Sequence, residues 1–458
     1  MKEIILILFS ITILNASNDI ENNSLSLLKA LEILNTSNLE IQAASIDVDS
    51  AKAKEQSVSG SHWGKLDFIQ DFANSNDAGN VFGFKLASRE ATFGDFGARE
   101  FMSAQTPTGF PDSAYTTPPQ DLNYPDARNF FQSKLKYEIP LFTGFQISSY
   151  SDIMSSMTKM KSLDKDKVIN EKRYQLRKSY FDMALLSNSI KNLQTILANI
   201  AKLEDMTNNM IEVGYAKKVD LLEVQAKRGN VERLVSQMKF NQKLLYHYIS
   251  FLLNQEVTKI QIPTTNVEIP NIRDEEILAN NLDIQRATTG LEVRRSMTDV
   301  SKSAYYPMIG AFGEVNTADD SFLGEANDHA AYTVGARLTW NIFNGGIDSS
   351  KVEEAKLNQL KTQSQVNLAK NGIKLKIAKI RTEIETYDSD VTSLQKELKL
   401  SNAIYKNYEG RYKEKLSSMS DVIIKQSEQI QKVLQLQQAL NKRNERIFAL
   451  EKLANGDR

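Results

Sequence analysis

Two periodicities organise this chain. Between residues 373 and 412, Ile373, Ile377, Ile380, Ile384, Tyr387, Val391, Leu394, Leu398, Ser401, Tyr405, Tyr408 and Tyr412 step by four and three. All but Ser401 are apolar or aromatic, a coiled-coil seam that predicts left-handed supercoiling. Leu221, Val224, Arg228, Val231, Val235, Met238, Gln242, Leu245, Ile249 and Leu252 repeat the spacing. Both stripes read as packing seams without chemistry. Four short segments instead alternate with period two. Phe131, Ser133, Leu135, Tyr137 and Ile139 face one way, and Gln132, Lys134, Lys136 and Glu138 the other. Tyr332, Val334, Ala336, Leu338, Trp340 and Ile342 alternate in the same manner with Thr333, Gly335, Arg337, Thr339 and Asn341, and Leu66–Phe72 and Met308–Val315 are weaker versions.

The landmarks around these segments occur twice. Asn38-Leu39-Glu40-Ile41-Gln42 reappears as Asn281-Leu282-Asp283-Ile284-Gln285, shifted by 243 positions. Pro140-Leu141-Phe142-Thr143-Gly144 reappears as Asn341-Ile342-Phe343-Asn344-Gly345, and Val219-Asp220-Leu221-Leu222 as Ser420-Asp421-Val422-Ile423, both shifted by 201. The first copy therefore carries 42 surplus residues, which fall in Ala73–Arg128. That stretch is rich in Gly, Pro, Asn, Asp and Ser and reads as a long surface loop.

Lengths extend the reading. Phe145–Val213 is 69 residues, about 100 Å of helix. The returning helix, from Asp220 to about Val257, climbs half-way before Pro263 and Pro270 break the chain. A further helix from about Asp274 to Ser303 resumes the climb. The second copy descends over Gly346–Tyr412 and climbs half-way over Asp421–Leu453, and Leu25–Gly60 supplies its upper half. The expected fold is mainly α with four strands, an internal two-fold repeat of one long helix beside two stacked half-length helices. The expected divisions are a signal at 1–16, repeats at 17–257 and 275–458, and a linker at 258–274, with turns at 213–219 and 412–420.

Composition removes most alternatives. The net charge is −1, which gives no reason to expect nucleic acid. There is no cysteine, and the three histidines, His62, His247 and His329, are far apart. Catalytic, metal and cofactor sites are therefore not expected. Lys2 followed by the apolar run Ile4–Leu14 and the small Ala16 reads as a secretory signal. No later segment reaches the roughly 20 apolar residues a spanning helix needs.

An alternating segment of about ten residues suits a lipid-exposed barrel strand with a wet interior, and equally a soluble sheet with one buried face. The signal and the aromatic strand ends Tyr137, Phe142, Trp340 and Phe343 favour the barrel. Four strands cannot close one, and open edges cannot sit in lipid, so chains must pool strands. Bacterial barrels have even strand counts from eight upward, so two copies are the minimum and three give twelve. The competing expectation is a periplasmic coiled-coil scaffold without a pore.

The chain resembles the TolC family of outer-membrane efflux proteins. The carriers are Leu25-Ser26-Leu27-Leu28-Lys29-Ala30-Leu31 with Asn38-Leu39, Ile139–Gly144, Trp340–Gly346, and Val213-Gly214 followed by Val219-Asp220-Leu221-Leu222. The resemblance implies a homotrimer with a twelve-stranded transmembrane β-barrel in outer-membrane lipid above a periplasmic α-barrel. It implies docking to a periplasmic adaptor (membrane fusion) protein and an inner-membrane RND or ABC transporter, for export of drugs, other small molecules or proteins. It places a pore gate at Asp421, Asp220 and Tyr412, and an adaptor-docking tip at Gly214, Tyr215, Lys415 and Ser417. Ser417 stands where the family has a gate arginine, Ile424 where it has a second gate aspartate, and Lys415 opposite the repeated Gly214. Fewer gate hydrogen bonds and a weaker cation preference are expected. Both aspartates also suit helix N-caps.

Overall fold

The computed structural model describes residues 24–264, 267–322, 324–325 and 327–455; the candidate signal at 1–16 lies outside them. In chain order the elements are α1 (Leu27–Ser37), α2 (Leu39–Gly60), β1 (Lys65–Ser75), α3 (Ala78–Ala87), α4 (Ala98–Ser103), α5 (Asp112–Thr116) and α6 (Gln120–Asn123). Then come β2 (Arg128–Phe142), α7 (Gln146–Glu212), α8 (Lys218–Leu253), α9 (Asp274–Asn280) and α10 (Leu282–Lys302). The chain ends with β3 (Met308–Asp319), β4 (Ala331–Thr339), α11 (Ile347–Lys413) and α12 (Met419–Ala454). It is mostly helical with one four-stranded sheet.

The chain forms two compact units. Among the described residues, one comprises those before Ser50, those of Lys159–Thr289 and those from Gln363 onward; the other comprises those of Ser50–Thr158 and Gly290–Thr362. The first unit is helical and has three cores. In one, Ala30, Leu34 and Ile41 pack with Leu176, Tyr180 and Met183 of α7 and Ile249, Leu252 and Leu253 of α8. In another, Ile277 and Ile284 pack with Ile373, Ile377, Ile380 and Ile384 of α11 and Ile447, Phe448, Leu450 and Leu453 of α12. The third joins α7, α8, α11 and α12 through residues such as Leu203, Val224, Tyr405 and Val422. All twelve seam positions from Ile373 to Tyr412 are buried or half-buried, whereas Arg228 on the other seam is exposed and pairs with Glu204 and Glu232.

Two helices expected to be continuous are each broken at an asparagine. Asn38 has extended backbone (φ −69°, ψ 122°), separating α1 from α2, and Asn281 (φ −67°, ψ 121°) separates α9 from α10. Both side chains are buried, 3% exposed. Asn38 Oδ1 accepts the amides of Glu40 and Ile41 at 3.0 and 3.1 Å, and its Nδ2 donates to the Leu252 carbonyl at 2.8 Å. Asn281 does the same toward Asp283, Ile284 and the Leu453 carbonyl. One residue thus caps the start of one helix and satisfies an orphan carbonyl at the end of another.

The second unit holds the sheet, antiparallel in the order β1-β2-β3-β4. β1 pairs with β2 from Lys65↔Glu138 to Ser75↔Arg128, so Ala73–Ser75 and Arg128 are strand rather than loop. The intervening segment, expected as a long surface loop, carries the short helices α3 to α6. Asp77 caps α3 by accepting the Asn80 amide at 3.1 Å. Pro140, which has no N–H to give a ladder, sits beside an irregularity in the β2–β3 register between Pro140 and Phe142. β4 stops at Thr339, short of the expected Ile342.

Candidate functional site

The sheet register sorts side chains onto two chemically opposite faces. Leu66, Tyr137, Gly313 and Val334 form one row, and Phe68, Leu135, Val315 and Tyr332 the next. Among the described residues these two rows are largely uncovered: Phe68 is 69% exposed and Tyr332 79%. The other face carries Asp67, Lys136, Glu314 and Thr333 in one row, with Lys65 and Glu138 beside them. Its charges pair across and along strands, Lys65 with Asp67 at 2.8 Å, Lys136 with Glu138 at 2.7 Å and Lys134 with Glu314 at 3.7 Å. The tip of the Phe312 ring lies against Gly335, where a Cβ would come within 2.7 Å of its Cζ. Aromatic rings gather where the strands meet the helices. The Tyr137 hydroxyl donates to the Trp63 carbonyl at 2.7 Å, and the Trp340 indole to the Tyr305 carbonyl at 3.2 Å. Among the described residues the outer edges of β1 and β4 have no strand partner.

The second site comprises two turns in the helical unit, Val213–Lys217 between α7 and α8 and Glu414–Ser418 between α11 and α12. Their backbones match. The Gly214 and Tyr215 amides donate to the carbonyls of Ile211 and Met210, and those of Lys415 and Leu416 to Tyr412 and Arg411. This closure places the residue after the helix in the left-handed region; Gly214 has φ +78° and Lys415 +62°. A glycine is free there, but a lysine is strained. The structure brings two of the predicted tip residues together, since Lys415 Nζ lies 3.1 Å from the centroid of the Tyr215 ring. Ser420 Oγ donates to Glu223 at 2.8 Å, tying the start of α12 to α8.

Asp220 and Asp421 are not N-caps. They sit at the third helical position, reaching back toward Lys217 and Ser418. Asp220 Oδ2 accepts the Lys217 amide at 2.8 Å. Asp421 Oδ2 accepts the Ser418 hydroxyl at 2.6 Å, its amide at 3.1 Å and the Ser417 hydroxyl at 3.3 Å, and Ser418 Oγ accepts the Asp421 amide. The Ser418 hydroxyl and amide hold the Asp421 carboxyl below the usual carboxylate range, helped by Ser417 and the charge of Arg411. Ser417 thus donates toward the aspartate from the position of the expected arginine. A cation that motif comparison missed, Arg411, contributes from the last turn of α11, over the Tyr408 ring. Basic residues in a last helical turn were the signal for it.

Tyr412, within reach of the Asp220 charge, is buried. Its ring is 6% exposed, inside the core shared by α7, α8, α11 and α12. Burial raises its phenol pKa. Tyr405, 1% exposed, is in the same core. Within one chain these rings are packing groups. Among the described residues no cluster of acidic, histidine or cysteine side chains is placed to hold a metal, and no helix is long and apolar enough to cross a membrane.

Comparison with known proteins follows this geometry. Residues 275–456 match the family model described as outer membrane efflux protein. Nodulation protein T of Rhizobium leguminosarum bv. viciae is 21% identical over 321 residues, and the match spans 65% of this chain and 65% of that relative's length. The fold is similar to that of CusC (TM-score 0.76, 13% identity, 93% of this chain and 91% of that one). It is also similar to that of the outer-membrane channel OprN (0.75, 16%, 94% and 90%). The Campylobacter jejuni CmeC outer membrane channel shares it as well (0.73, 15%, 94% and 85%). Residues 275–456 thus match the outer membrane efflux protein model, and the fold along the chain is similar to that of these channels, the fold that the TolC-like motifs implied.

Proposed function

We propose that this protein is the outer-membrane channel subunit of a tripartite export system, a passive duct for drugs, other small molecules or proteins. The observation that carries the reading is the sheet: an uncovered apolar face across all four strands, backed by a face of paired charges, with both edges open. A soluble sheet would bury its apolar face, so the scaffold reading is disfavoured. Lipid on one side and water on the other satisfy both faces. Open edges in lipid leave N–H and C=O groups unpaired, at several kcal/mol each. Chains therefore pool their strands into one barrel, three chains and twelve strands as the TolC resemblance implies, and their helices form a periplasmic tunnel.

In this reading the chain is one structural unit written twice. The paired capping by Asn38 and Asn281 supports it, as do the left-handed residues Gly214 and Lys415, and Asn254 and Asn455, each pair 201 positions apart. The turns bearing Gly214, Tyr215, Lys415 and Ser417 are the docking tip for a periplasmic adaptor, which links the duct to an inner-membrane RND or ABC transporter. Asp421 and Asp220, once in each of three chains, ring the narrow end. Tyr412 acts on that gate from inside the helix packing. The test is extraction from membranes: detergent should release a trimer that dissociates only on heating. Release by salt alone, or a monodisperse monomer with its β-structure intact, would overturn the reading.

A further inference from the structure

We propose that the segment between β1 and β2, residues 76–127, is an inward-folded constriction at the outer end of the duct, restricting the size of solutes that enter from outside. The inference rests on the channel reading above and concerns the end of the sheet away from the helices.

Register decides the direction of folding. In β2 the even-numbered residues share the charged face and the odd-numbered ones the apolar face. The segment grips the charged face at its outer end. Phe84 of α3 stacks on Phe130, with centroids 4.2 Å apart and planes 11° apart. Arg128 donates to Ser88 Oγ at 3.2 Å and pairs with Glu90. Phe130 is reduced to 9% exposure, Ala318 on the same face to 2%, and Val81 of α3 to 3%. The apolar face at the same level is treated differently. Phe72 and Phe131 there are met by Phe322 of the β3–β4 connection, at 6.2 and 6.4 Å. A segment standing outward, or draped over the lipid side, would leave Phe130 and Ala318 facing water.

The segment is also built to hold its shape. Lys85 bonds Asp95 at 2.5 Å, and Asp95 takes the Thr92 amide at 2.7 Å and its hydroxyl at 2.8 Å. Lys85 pulls the Asp95 carboxyl down to about 2, with Thr92 assisting. Glu100 accepts the Gln120 amide at 2.8 Å, and Phe101 stacks on Phe110 at 4.4 Å. Gly97, at φ +80°, lets Pro119 approach to within 2.3 Å of where a Cβ would sit. Interior plugging by loops is an established use of barrel lumens. Three copies folded inward would narrow the mouth over the wet face.

The chain has no cysteine, so a single introduced thiol reports access. Thr333→Cys lies on the charged face and Tyr332→Cys on the apolar face. In intact cells carrying the full-length protein, a small membrane-impermeant maleimide should label Thr333→Cys and not Tyr332→Cys. A bulky polymer-linked maleimide should label Thr333→Cys slowly. Replacing residues 79–124 by a short Gly-Ser linker should speed the bulky reagent by about tenfold or more, since opening diameter sets passage, while the small reagent changes little. If the bulky reagent is equally fast with and without the segment, the constriction is refuted. Should the deletion fail to assemble, Phe84→Ala with Arg128→Ala unhooks the segment in an intact chain, and an unchanged rate there refutes it too. Failure of the barrel reading looks different: the small reagent would label Tyr332→Cys as readily as Thr333→Cys.

Discussion

Replacing Asn38 by alanine removes two functions at once, and the structure separates their sizes. Oδ1 caps α2 through the Glu40 and Ile41 amides, and Nδ2 satisfies the Leu252 carbonyl in a buried site. Loss of the cap costs about 1 kcal/mol. The orphaned carbonyl costs a further 1–3 kcal/mol or so, because no water replaces the lost donor. Local opening should then become easier by about 2–4 kcal/mol, roughly 30- to 700-fold at 1.4 kcal/mol per decade. The assay is amide hydrogen exchange on the assembled protein in detergent, read at Glu40 and Ile41. Asn38→Asp keeps the acceptor and loses the donor, so it should retain most of the protection at those two amides while still loosening the last turn of α8. Unchanged exchange at Glu40 and Ile41 in Asn38→Ala would refute the capping argument. Equal loss in the alanine and aspartate variants would show that the carbonyl alone matters.

At the turns, Asp421→Asn should reduce cation selectivity in planar bilayers at neutral pH. A depressed folded-state pKa keeps the carboxylate charged, and its stabilising contribution present, above the unfolded value, and loses both as pH falls through the folded value. Wild-type selectivity should therefore persist through the ordinary carboxylate range and fade only below it. Titration above that range would mean that repulsion among three carboxylates outweighs the Ser418 bonds. In the helix core, the Tyr405 hydroxyl is buried without a hydrogen-bond partner among the described residues. Tyr405→Phe should accordingly be neutral or stabilising by about 1 kcal/mol, as judged by trimer dissociation on heating; a marked loss would reveal a partner on a neighbouring chain. Finally, Gly214→Trp should lower export with trimer yield unchanged, whereas Lys415→Gly should relieve left-handed strain of about 1 kcal/mol at the cost of the contact with Tyr215. Normal export by Gly214→Trp would place the adaptor elsewhere.

The elements were legible because each follows from a local period. Side chains recurring at 3.5 residues must share a helix stripe, and those recurring at two must share a strand face, so the seam from Ile373 to Tyr412 and all four strands stand where the pattern put them, except that β4 ends early at Thr339. The two glycine-bearing strand ends and the turn at Gly214 were likewise visible, because left-handed backbone restricts which residues can occupy it, whereas the turn at Lys415 was legible only as the repeat of the first. The breaks at Asn38 and Asn281 were missed because their surroundings look helical. What makes an extended residue tolerable there is a distant carbonyl, on Leu252 or Leu453, that only folding delivers. For the same reason α3–α6 hid in a polar, proline-rich stretch, whose order depends on contacts such as Phe84 on Phe130 rather than on periodicity. Motif matching put Tyr412 with the two aspartates as one functional group. Tertiary packing decides their settings, burying the phenol in a four-helix core, where the Asp220 charge still reaches it, and leaving the carboxylates at the helix starts. Sequence spacing determines which face of its own helix a residue occupies; what lies opposite that face is decided by chain segments hundreds of positions away.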